Sequence, residues 1–157
     1  EFKMSLIGFK KEKFMKEIHL AHGGAGSGDS ADSPLPLVDG DLMAIPAGLV
    51  IEKCLFLIET AITGTTVLEV GDDDDADGFA PDQAANFATP GLYNTNAKVA
   101  GAYLRVQTAG GTDAADIDVV PNLKYYAAAG KELKLNVTTA SSAGVARVIV
   151  EGYFLAV

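Results

Sequence analysis

Five aspartates stand within the octet Gly71-Asp72-Asp73-Asp74-Asp75-Ala76-Asp77-Gly78, the densest set of potential ligands in the chain. From Asp73 onward the spacing is D-x-D-x-D-G, the opening of a calcium loop, in which alternating carboxylates curl round a hard cation and the glycine allows a sharp turn. The position that should supply a bidentate glutamate is Ala84, and no helical pattern flanks the loop, so an EF-hand is excluded. The expectation is a solvated acidic turn between strands, which discourages edge-to-edge pairing. A looser calcium site on Asp73, Asp75 and Asp77 is the alternative, and no metal or cofactor is expected.

The other reactive side chains are few. His19 and His22 stand three apart beside a Gly-rich stretch, with Glu17 the one carboxylate near them, which suits solvent-facing or interface histidines better than zinc ligands. Cys54 lies between Lys53 and Leu55 in an apolar run, where a small buried hydrophobe is the ordinary role. A lone cysteine forms no intrachain disulfide and implies no oxidising compartment. The chain holds no G-x-S-x-G nucleophile elbow, phosphate-cradling loop or dinucleotide fingerprint, so the reading is not an enzyme. Tyr93, Tyr103, Tyr125 and Tyr126 could line a sugar-binding face, but their spacing fits sheet packing better.

These residues must be held by a scaffold, and 157 residues suffice for one domain and an appendage. Apolar residues make up 48% of the chain, enough for a core and too many for general disorder. Residues 1–17 carry five lysines against three glutamates, a net of +2, in a chain whose formal charge is −9; the remainder stands at −11. An acidic body argues against nucleic-acid binding, since phosphate contacts need basic surface. A basic end on that body reads as a tether to something negatively charged. No apolar run approaches the ~20 residues that span a bilayer, so no membrane partner is expected. Met4 is a candidate start, and no secretory signal is read in the first residues.

Residues 5–20, SLIGFKKEKFMKEIHL, place apolar side chains at helical spacings and predict a short helix within an N-terminal arm, residues 1–22. Residues 23–36, GGAGSGDSADSPLP, read as a flexible linker. From residue 37 to 157 the apolar period is two. Strands are predicted over Leu49–Thr60 and Val67–Val70, joined as a hairpin by the Thr63–Thr66 turn. Further strands follow over Ala102–Thr108, Ile117–Val120, Tyr125-Tyr126, Leu133–Thr139 and Val145–Leu155. Residues 71–98 read as a long acidic loop. Seven or eight strands with Gly-rich turns and no crossover helix give an all-β, antiparallel, jelly-roll-like β-sandwich carrying an arm.

The run Ile45-Pro46-Ala47-Gly48-Leu49-Val50-Ile51, a Thr-Gly-Thr turn, Val67-Leu68-Glu69-Val70 and the Gly71–Phe79 loop resemble those of small tailed-phage virion proteins. Ala129-Gly130 and the Val-rich strand Val145–Tyr153 continue the likeness, which covers residues 42–154. The chain thereby resembles phage head decoration (cement) proteins, whose jelly-roll bodies sit as homotrimers on the capsid exterior. That resemblance implies a structural protein made in the host cytoplasm, whose partner is the major capsid protein and whose arm bridges neighbouring capsid subunits. The arm contacts would then come from Leu6, Ile7, Phe9 and Phe14 as apolar anchors, with Lys10, Lys11, Lys13 and Lys16 pairing with acidic groups. Tail fibres, spikes and carbohydrate-binding modules share such sandwiches and form the alternative.

Overall fold

A computed structural model describes residues 11–65, 67–80, 88–94, 106–107, 120–121 and 123–155. The two longest strands set the frame. β4 (Leu49–Thr63) and β11 (Ala143–Leu155) are rich in Val, Ile, Leu and Phe, which suit a pleated, half-buried surface. They pair antiparallel along most of their length, and Cys54, Phe56 and Ile58 of β4 point inward beside Ala146, Val148 and Val150 of β11.

Around this pair the larger sheet runs β2-β1-β11-β4-β6, from β1 (Lys11–Ala21), β2 (Leu35–Pro36) and β6 (Gly91–Asn94); β9 (Lys124–Tyr125) adds to β4. The smaller sheet runs β3-β10-β5, from β3 (Gly40–Ile45), β5 (Leu68–Asp72) and β10 (Lys131–Val137). A separate pair joins β7 (Val106–Gln107) to β8 (Val120–Pro121). Among the described residues, all strand pairings are antiparallel except β1 with β2. Ile18, Leu20, Ile51, Phe56 and Val148 from one sheet meet Leu42, Ile45, Leu68, Val70, Leu133 and Leu135 from the other in a single core. The fold is therefore an all-β sandwich.

The register between β11 and β4 shifts at Glu151/Gly152, where the backbones come unusually close. A Cβ on Gly152 would lie 2.0 Å from the carbonyl oxygen of Val50, so only glycine fits there.

Three expectations change. The helix predicted over residues 5–20 is a strand from Lys11 onward. β1 pairs residue for residue with β11, from Lys11 opposite Leu155 to Ala21 opposite Val145. The reason is tertiary: Ile18 and Leu20 enter the core, and burying two such side chains contributes roughly 3–6 kcal/mol, more than weak helical propensity can oppose. The stretch read as a flexible linker folds back on β1 as an ordered loop. The amide of His19 donates to Gly28 O at 2.9 Å, Gly28 N to Ser33 O at 2.8 Å and Gly26 N to Pro34 O at 2.9 Å, and Leu35-Pro36 then pairs with β1. The sandwich thus takes in residues 11–36, placed outside it in the sequence reading. Finally, β4 and β5 form no hairpin, because the turn after Thr63 carries the chain from the larger sheet to the smaller one.

Candidate attachment surface

The residues expected to attach the arm divide into three groups. Leu6, Ile7, Phe9 and Lys10 lie outside the described residues, immediately before β1. Lys11 begins β1, and Lys13 is exposed on the outer face of the larger sheet. Phe14 and Lys16 have partners in their own chain. Phe14 packs edge-on against Phe154, with centroids 5.7 Å apart and planes at 87°. Lys16 Nζ lies 2.5 Å from Asp29 Oδ1, and this hydrogen bond holds the Asp29 carboxyl below its usual range. These two side chains secure β1 and the loop after it to the sandwich.

Strand alternation on β1, β11, β4 and β6 builds the rest of the outer face. One row across the sheet is Met15, Glu151 and Lys53; the next is Glu17, Ile149 and Leu55; a third is His19, Arg147, Leu57 and Leu92. Leu55, Leu57 and Ile149 are half-buried there, while Leu92 is 61% exposed and Met15 60%. Ion pairs frame this apolar strip. Arg147 donates from Nη1 to Glu17 Oε1 at 2.6 Å and from Nη2 to Glu59, so one guanidinium ties three adjacent strands and its pKa is raised by both glutamates. His19 Nε2 stands 3.5 Å from the same Glu17 oxygen, and Lys53 Nζ donates to Glu151 at 3.2 Å. Beside Lys13 the face is indented by an open hollow of about 290 Å³, lined by Glu52, Glu151, Gly152 and Tyr153.

The aspartate octet is a clip. The Asp72 side chain is buried and accepts hydrogen bonds from Tyr126 Oη at 2.6 Å and from the amides of Asp74 and Asp75 at 2.9 and 3.1 Å. Lys124 Nζ stands 3.8 Å away. Asp73 accepts from Glu132 N at 2.9 Å and lies 2.6 Å from Lys134 Nζ, and Asp74 lies 2.5 Å from Lys131 Nζ. The Lys134 hydrogen bond, followed by that from Glu132 N–H, lowers the pKa of Asp73, whereas the neighbouring carboxyl of Asp77 raises that of Asp75. The turn expected to be solvated is thus fastened to β10. The calcium alternative gains nothing from this geometry: Asp73 is engaged by β10, and among the described residues no three His, Cys, Asp or Glu side chains group as metal ligands.

Cys54 is fully buried, and burial pushes its thiol up to about 12, which suits a core residue. Among the described residues, Tyr93, Tyr125 and Tyr126 do not make one surface. Tyr126 is buried on Asp72, Tyr93 donates to Thr89 O at 2.7 Å, Tyr125 is exposed on β9, and Tyr103 lies outside the described residues.

Sequence reasoning missed β1 and the Asp72–Tyr126 contact. A signal for β1 was present: Phe14, Ile18 and Leu20 share one strand face against Lys13, Met15, Glu17 and His19, with Lys16 as the single interruption. Nothing local marks Asp72 as the buried member of five aspartates, because its partner is 54 positions away.

No family model matches the chain, and no curated protein matches it in sequence. Two solved structures match it in fold. A chain of the cyanophage Pam1 capsid asymmetric unit superposes with a TM-score of 0.51 at 13% identity, over 94% of this chain and 88% of that one. A chain of the acid-stable capsid of Helicobacter pylori bacteriophage KHP30 does so with a TM-score of 0.51 at 14% identity, over 93% and 92%. Coverage is nearly complete on both sides, so what this chain shares with a chain from each of two phage capsids is an entire sandwich of similar length.

Proposed function

We propose that this protein is a structural component of a phage virion that decorates the capsid exterior and stabilises it by bridging capsid subunits, without catalysis. The observation that carries this reading is the whole-chain likeness in fold to chains from two phage capsids, and the resemblance read from residues 42–154 supports the decoration role within it. The order of the strands supports a jelly-roll body. The chain alternates between sheets from β3 to β4 to β5 and again from β10 to β11, and β1-β11-β4-β6 faces β3-β10-β5.

Attachment is mechanical. Leu6, Ile7 and Phe9 bury apolar area on the major capsid protein, while Lys10 and Lys11 pair with its acidic groups. Phe14 and Lys16, engaged with Phe154 and Asp29, hold the root of the arm. A homotrimer would present three such arms, and once one is bound the others engage at high effective concentration, so avidity holds subunits together under internal pressure.

The test is rebinding of purified protein to capsids that lack it, followed by co-sedimentation. The full chain is expected to bind and a chain lacking residues 1–10 to lose at least tenfold in affinity with its β-sheet circular dichroism unchanged. Equal binding by the two would overturn the arm's role, and no binding by the full chain would overturn the capsid reading.

A further inference from the structure

Among the described residues, the first half of β1 has an open side. Its N–H and C=O groups alternate between β11 and the opposite edge, and no register shift interrupts the pairing with β11. The amide of His19 donates outward to Gly28 O, and Ala21 O accepts outward from Gly24 N and Leu37 N. Odd-numbered residues therefore direct their backbone groups away from β11. Among the described residues, β2 pairs with this edge at Leu20 and Ala21, and no strand pairs with it over Lys13, Met15 and Glu17.

We propose that a second copy of the chain occupies this edge, β1 against β1 antiparallel about a two-fold axis at Met15. The residues themselves select this partner and register. In such a pairing Met15 faces its own counterpart, and its 60% exposure is relieved by an apolar contact on the axis. Lys13 of each copy falls opposite Glu17 of the other, both on the outer face, which gives two opposite-charge pairs. The backbones of residues 13, 15 and 17 exchange hydrogen bonds across the axis. A lysine on an exposed edge ordinarily repels stray strands. Here it turns away other sequences and accepts this one. The contact is isologous and joins copies in pairs, so it differs from any contact that closes a ring of three; together the two would connect trimer to trimer. It rests on the sheet edge and not on the capsid reading.

Met15→Pro is the deciding variant. It removes an outward N–H and no bond to β11, and proline is accepted on a strand edge whose N–H faces away from the sheet. Light scattering of the full chain during size exclusion is expected to give an even number of copies, halved by Met15→Pro with the circular dichroism spectrum retained. Should Met15→Pro fail to fold, the exposed Lys13→Glu places glutamates opposite one another and is expected to weaken association about tenfold in low salt. An odd number of copies for the unmodified protein, or association unchanged in whichever variant folds, would overturn the proposal.

Discussion

At the scale of single residues, the aspartate octet divides one side-chain type among different tasks. Asp72 is desolvated by the core and stays there because Tyr126, two backbone amides and Lys124 surround it. Taking one partner from a buried hydrogen bond costs about 1–3 kcal/mol, so Tyr126→Phe is expected to lower unfolding free energy by that amount in urea titration, with an unchanged m-value. Asp73 sets a pH dependence. Its folded pKa lies below the unfolded carboxylate value, so its contribution is complete above that value, about 3.9, and is lost as pH falls through the lowered one. Asp75 acts in the opposite sense: its raised pKa opposes folding as pH rises and is relieved by acid. Asp73→Asn is therefore expected to flatten the loss of stability below about pH 4 by up to one proton's slope, read from urea midpoints between pH 2 and 5. These roles were not legible in the sequence, since each depends on which carboxylate meets β10 or Tyr126, and those partners are brought in by the sheet.

At the scale of elements, the strands most legible in sequence are those that alternate cleanly and fill both faces of a sheet. β10 carries Leu133, Leu135 and Val137 inward as its period of two predicts, and β11 covers the β-rich run Val145–Leu155, with Ala146, Val148 and Val150 inward. β1 was obscured because Lys16 occupies an inward register position, made tolerable by Asp29 of the following loop. The Gly/Ser/Asp stretch read as a linker is ordered by backbone bonds that composition does not reveal. A consequence concerns truncation. Removing residues 1–10 leaves β1 whole, whereas removing residues 1–22 takes Ile18 and Leu20 from the core and uncovers the edge of β11. The longer deletion is expected to cost more than about 3 kcal/mol from the side chains alone, a large share of a typical domain's 5–15 kcal/mol, and to show as loss of the cooperative thermal transition. A cooperative transition at the original temperature would mean that β1 is not integral to the sandwich.

At the scale of the whole molecule, charge is uneven: residues 1–17 carry a net +2 and the remainder −11, and the proposed attachment uses this asymmetry. The likeness to chains of two phage capsids extends over nearly the whole chain and is a likeness of fold. Legible in the sequence were the β-sandwich and the charge asymmetry; β1 was hidden because its partner strand, β11, lies at the other end of the chain. The most direct test of the proposed capsid role is the copy number of this chain in purified virions relative to the major capsid protein, by quantitative mass spectrometry. Hundreds of copies, in fixed ratio to the major capsid protein, are the expected result. A handful of copies, as on a tail or a single vertex, or none at all, would contradict it.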